Sequence, residues 1–226
     1  MVVALLVGGC AGESPHTLNR AALRATKPRT LVVLKSPTPQ LVAWTPGQGV
    51  LIALFGPAGW GLAEATSRAS GTSLTKRAEL DDPTVAIASR LALALAKRFS
   101  LETSYKDGVI RDGYGAPLEL TPERLAEAFP GSDLVLDVRT TDWGFHPTSM
   151  GDRYGATYDG TVRLVDTRTR AVLAEGICVF HPLDGSDGPT RDQLLAKNAD
   201  VLKQQLTSIT DFCADDYRTR ILGLYQ

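Results

Sequence analysis

The chain has 226 residues, 43% of them hydrophobic and 22% charged. That is enough for one substantial core, and it excludes both a disordered chain and a bundle of membrane spans. A formal net charge of −1 excludes the broad basic field that nucleic acid requires, so no nucleic-acid partner is expected. The three cysteines are Cys10, Cys178 and Cys213, an odd number that gives one of them a separate task.

The first element is an apolar stretch, Val2-Val3-Ala4-Leu5-Leu6-Val7, followed by Gly8-Gly9 and Cys10. The order Leu6-Val7-Gly8-Gly9-Cys10 resembles the lipobox of bacterial lipoproteins, in which an aliphatic residue and two small ones precede a lipidated cysteine. The resemblance implies a signal peptide over 1–9, cut before Cys10, and diacylglycerol with fatty acyl groups such as palmitate on that cysteine. No Lys or Arg precedes the apolar run, and the run is shorter than an ordinary signal core; a trimmed start would account for both. In proteobacterial lipoproteins an aspartate after the cysteine tends to retain the protein at the inner membrane. Ala11 stands there, so the resemblance implies the periplasmic face of the outer membrane. Several acyl chains give stable anchoring without a transmembrane helix. The competing reading makes Met1–Val7 a buried strand and Cys10 an ordinary thiol.

Residues 10–29 read as a tether, with two helical turns at most over Leu18–Ala25, and 30–226 as a single α+β domain. Leu31–Leu34 is a short strand and Leu41–Trp44 its expected partner. From Ser36 to Ala63 there is no charged side chain. Its centre, residues 49–63, is expected to be a buried, glycine-punctuated helix, or two half-helices broken at Gly56-Pro57. The alternative is a membrane-inserting element of an oligomeric lipoprotein. Gly56–Gly61 has no P-loop lysine. Ser67–Leu80 reads as a polar surface loop.

Asp82-Pro83 opens a capped helix with Val85, Ala88, Ala92, Leu95 and Phe99 at helical spacing. Leu101–Tyr105 is a strand, and Thr121-Pro122 starts a helix ending near Phe129. Leu134–Val138, Tyr158–Asp166 and Ala171–Phe180 are strands, the last two joined by Thr167–Arg170 as a hairpin. A final helix over 191–211 carries Leu195, Ala199, Leu202, Leu206 and Ile209 on one stripe. The fold class is α+β, a largely antiparallel or mixed sheet with helices on one face. The order of elements over Asp82–Asp211, including "SDLVLDVR", resembles small periplasmic α/β sandwich domains of bacterial lipoproteins. Many of those serve envelope assembly or transport as adaptors.

Chemistry is sparse. His16, His146 and His181 lack zinc spacing, and Asp184–Gly188 lacks the alternating ligands of a calcium loop. No metal or cofactor is expected. Trp143, Phe145 and Tyr154, near Met150 and Tyr158, form a candidate partner-contact loop; the favoured alternative places Trp143 and Phe145 on a continuing strand facing the core. With Cys10 taken by lipid and the domain in an oxidising compartment, Cys178 and Cys213 are left to pair. That pairing needs Cα atoms within about 7 Å, and the alternative is two buried thiols. The expected function is that of a non-catalytic lipoprotein binding a protein partner or envelope component. Membrane insertion by residues 49–63 and a periplasmic hydrolase are the alternatives.

Overall fold

The computed structural model describes residues 16–109, 120–148, 152–182 and 188–225. Cys10, the lipobox and Met150 lie outside the described residues. In chain order the elements are α1 (Arg20–Thr26), β1 (Thr30–Lys35), β2 (Val42–Ala43), α2 (Pro46–Ala78), α3 (Pro83–Phe99) and β3 (Glu102–Asp107). They continue as α4 (Pro122–Ala128), β4 (Leu134–Pro147), β5 (Tyr154–Asp166), β6 (Ala171–Phe180) and α5 (Arg191–Asp216), with a closing π-turn over Tyr217–Ile221.

The fold is α+β. One mixed sheet has the order β3-β1-β4-β5-β6. β1 pairs in parallel with β3 and β4, while β4–β5 and β5–β6 are antiparallel. The short strand β2 pairs with Gly144 and Phe145 of β4, so Leu41–Trp44 is the partner of β4 and not of β1. Gly144 permits this crossing, because a Cβ there would strike the Val42 carbonyl.

The main core lies between one sheet face and the helices α1, α3 and α5, with the last turns of α2. A smaller cluster, Val32, Leu34, Val135 and Val165 with Leu120 and Leu125 of the α4 region, occupies the other face. A bulge between Leu164 and Val165 sends Val172 to that smaller cluster, away from Ala174 and Cys178. Strict alternation from Val172 to Phe180 therefore fails at its first residue.

Asp82 caps α3 as the sequence requires, its Oδ1 accepting from the Thr84 amide at 2.9 Å. The Thr140 hydroxyl donates to the same carboxylate oxygen. Thr84 also shares hydrogen bonds with Thr140 and with the Tyr158 hydroxyl. A buried polar knot thus ties the start of α3 to β4 and β5.

Two further expectations are corrected. Residues 16–28, expected within the tether, belong to the fold: the His16 and Glu175 main chains exchange hydrogen bonds, and Leu23 is fully buried. The Leu18 and Asn19 amides donate to the Ile221 and Leu173 carbonyls, so this segment closes the outer edge of β6. Ser67–Leu80 is helix almost throughout, not loop. Its hydroxyls return to their own helix: Ser67 donates to Ala63, Thr72 to Arg68 and Thr75 to Gly71. These hydroxyls are thus satisfied within the helix itself. The buried stripe is Ala63, Ser67, Gly71, Leu74 and Ala78, at helical spacing but made largely of small residues.

Candidate functional site

Trp143, Phe145 and Tyr154 are not a contact surface. All three are fully buried, because β4 continues to Pro147 and its alternate residues face the helices. The Trp143 indole donates to the Pro39 carbonyl at 2.8 Å, and Phe145 meets Tyr154 edge to face. Cys178 and Cys213 form a disulfide with Cα atoms 5.7 Å apart. Cys213 sits inside α5, which crosses the sheet so that its last turns reach β6. The Tyr217 hydroxyl, beside the bridge, accepts from the Cys178 amide at 3.0 Å, and burial raises that phenol well above the ordinary tyrosine range.

The most unusual surface is the first half of α2. By length and composition Gly47–Ala78 is long and apolar enough to cross a membrane, but it is not straight. Gly56 has φ 55° and ψ −132°, a conformation open to glycine and strained for other residues. The helix turns back there, and Pro57 follows as the first residue of the second limb, where its missing N–H costs nothing. Gly59 then lies so close to the Leu51 main chain that a Cβ could not fit. α2 is a helical hairpin, with limbs of 46–55 and 57–78.

The expected burial of 49–63 is overturned. Leu54 is 70% exposed and Phe55 57%, with Val50, Trp60 and Leu62 exposed to a similar degree. Within the run only Gly59 and Ala63 are buried. The lack of charge in this segment therefore does not reflect burial in the core. Large adjoining apolar side chains at a surface mark a contact with something apolar.

Beside the hairpin, Trp44 packs with tilted rings between Trp60, at 5.9 Å between ring centres, and His146, at 5.4 Å. Beneath them is a polar cleft of about 470 Å³ lined by Asp142, His146, Thr157, Asp159 and His181. The register sets Asp142 opposite Asp159 and Gly144 opposite Thr157, so these residues share the sheet face turned away from the main core. His181 Nε2 lies 2.9 Å from Asp159 Oδ1. Arg68, in the second limb, holds Glu64 at 2.9 Å and reaches Asp142 at 3.9 Å.

Burial raises the Asp142 carboxyl above the usual aspartate range, against the pull of Arg68 and with the push of Asp159. Burial, and then the charge of His181, lowers His146 to about 4, so His146 is neutral at ordinary pH. The Thr157 hydroxyl is buried without a hydrogen-bond partner. His146 and His181 are far apart in sequence, and only the β4–β5–β6 register brings them together. The one legible hint is the alternation Asp142, Gly144, His146 on the face opposite Trp143 and Phe145. Among the described residues, no group of three His, Cys, Asp or Glu side chains is placed to hold a metal ion.

No family model and no curated protein sequence matches this chain. Among solved structures it is similar to a PelC dodecamer variant from Paraburkholderia phytofirmans, at 11% identity and TM-score 0.33 over 87% of this chain and 91% of that one. Lipoprotein GNA1162 from Neisseria meningitidis gives 17% identity and TM-score 0.30 over 83% and 99%. The hypothetical protein CT253 from Chlamydia trachomatis gives 9% identity and TM-score 0.37 over 86% and 99%.

Proposed function

We propose that this chain is a non-catalytic, lipid-anchored envelope protein that embeds the tip of the α2 hairpin in one leaflet of the membrane. The observation that carries the reading is the exposed, charge-free tip around Leu54 and Phe55. Pro46 to Phe55 rises about 15 Å at 1.5 Å per residue, half of a hydrocarbon core about 30 Å thick. The hairpin is therefore the right length to enter one leaflet and too short to cross two. Helical limbs satisfy nearly all of their own backbone groups, which lipid requires. Trp44 and Trp60 suit the interface, and Glu64, the first charge of the second limb, stands about 10 Å from the turn at 1.5 Å per residue, so entry to about that depth leaves Glu64 and Arg68 outside.

Cys10 supplies the second attachment in this reading, at the periplasmic face of the outer membrane, because Ala11 follows it. The several acyl chains on Cys10 suffice for a stable hold, and the hairpin tip adds a second point of contact. The envelope component bound is thus lipid. A hydrolytic role gains no support from the one His–carboxylate pair, His181–Asp159, since among the described residues no hydroxyl or thiol hydrogen-bonds that ring.

Flotation of the folded, unacylated chain with phosphatidylethanolamine–phosphatidylglycerol vesicles tests the hairpin. Leu54→Glu with Phe55→Glu is expected to weaken binding by at least about tenfold, and equal flotation of both proteins would refute the reading. Incorporation of labelled fatty acid by chain expressed with a complete signal tests the anchor, and Cys10→Ala is expected to abolish it.

A further inference from the structure

We infer that the cleft formed by Asp142, His146, Thr157, Asp159 and His181 beside the α2 hairpin binds a primary ammonium group. Four observations converge. The cleft is about 470 Å³, room for a small head group and its first carbons. Its polar side chains are two carboxylates, two imidazoles and a hydroxyl; with His181 Nε2 on Asp159, the Asp142 carboxylate, the neutral His146 ring and the Thr157 hydroxyl are left to accept.

The Thr157 hydroxyl, buried with no partner, leaves a hydrogen bond unmade at the cleft wall. Asp142 is under-compensated, since Arg68 stands 3.9 Å away and is itself bonded to Glu64 at 2.9 Å. The charged and titratable groups facing Asp142 are Arg68 and Glu64 from α2, Asp159 from β5 and His181 beyond β6. Even with His181 counted as a cation their formal sum, Asp142 included, is negative.

An alkylammonium fits this set better than a metal ion does. No three His, Cys, Asp or Glu side chains of the described residues are placed to hold a metal ion, whereas an ammonium nitrogen works at the longer spacing of hydrogen bonds and takes a hydroxyl among its acceptors. The same donors separate a primary ammonium from a quaternary one, which offers charge alone. Two sources share the chemistry. One is the ethanolamine head group of a phospholipid, which the proposed docking of α2 would bring to the level of Trp44. The other is a free amine. Ammonium binding itself does not depend on the hairpin entering lipid.

The test uses the folded chain carrying Leu54→Glu and Phe55→Glu, so that the tip takes no part, and no bilayer. The ring resonances of His146 and His181 are followed during titration with glycerophosphoethanolamine, glycerophosphocholine and ethanolamine. Glycerophosphoethanolamine or ethanolamine is expected to shift both rings, and Asp142→Asn to weaken that binding by about tenfold, as loss of a charged hydrogen bond does. Thr157→Val should weaken it by less. Tighter binding of glycerophosphoethanolamine supports the lipid source, and equal binding of ethanolamine supports the free amine. Rings that shift as strongly with glycerophosphocholine, or with none of the three, would overturn the inference. So would an Asp142→Asn chain that binds unchanged.

Discussion

Gly59 lies against the main chain of Leu51, although the turn at Gly56 separates the two along α2. That contact makes α2 a hairpin instead of a rod, and it depends on the absence of one carbon atom. Gly59→Ala is therefore expected to force the limbs apart, costing about 1–3 kcal/mol as overpacking does. Gly61, also in the second limb, has open space around its Cβ position. Gly61→Ala is expected to stabilise by about 0.5–1 kcal/mol, the helical preference of alanine. Denaturant titration of the two variants checks the opposite signs, and only Gly59→Ala should also weaken vesicle binding.

The Cys178–Cys213 bridge joins residues with a sequence separation of 35. Closing a loop of that size stabilises by about 4 kcal/mol in the chain-entropy model. Unfolding with and without reductant is expected to differ by about that amount. Two free thiols in denatured, unreduced Cys10→Ala protein from an oxidising compartment would contradict the bridge.

Asp82 holds both the α3 amide of Thr84 and the Thr140 hydroxyl. Asp82→Ala is expected to destabilise by about 2 kcal/mol, the upper range for a lost helix cap. Asp82→Asn should cost less, because the amide oxygen still accepts. The phenol of Tyr158, which burial pushes up to about 12, should resist titration in the folded chain and titrate normally once the chain unfolds.

The cleft gives stability two opposed responses to acid. His146 falls from 6.5 to about 4 on folding, so its neutral form is favoured in the folded chain. That contribution is complete above the ordinary histidine value and is lost progressively as pH falls through the window between 6.5 and about 4. Asp142 is raised, so it penalises the folded chain above its raised value, and acid relieves the penalty. His146→Phe is expected to flatten the acid loss, measured by melting between pH 7 and 4. Asp142→Asn is expected to stabilise at neutral pH, with the gain vanishing below the ordinary aspartate value.

Much of the architecture is legible because its signals are local. Asp82-Pro83 and Thr121-Pro122 start α3 and α4 where the caps require, and the turn Thr167–Arg170 sets off the apolar run Ala171–Phe180 as β6. The misreadings involve residues whose role is set at a distance. Ser67 and Gly71 form the buried stripe of α2, yet read as loop because small polar residues carry little apolar signal. The 49–63 run reads as core, since composition does not say whether a sheet lies beside it. His16 and Leu18 read as tether because their partners, Glu175 and Ile221, lie at the far end of the chain. Beyond the alternation of Asp142, Gly144 and His146, the cleft is illegible for the same reason, as Asp142 and His181 come to one cleft only through strand register.

Depth in the bilayer tests the central claim most directly. In the Cys10→Ala chain, Leu54→Cys and, separately, Ser73→Cys carry an environment-sensitive fluorophore, on phosphatidylethanolamine–phosphatidylglycerol vesicles containing lipids spin-labelled at known depths. The label at position 54 is expected to be quenched most by spin labels deep in the acyl chains of one leaflet, and the label at 73 by none of them. Equal quenching at the two positions, or a label at 54 that remains in water, would contradict the account.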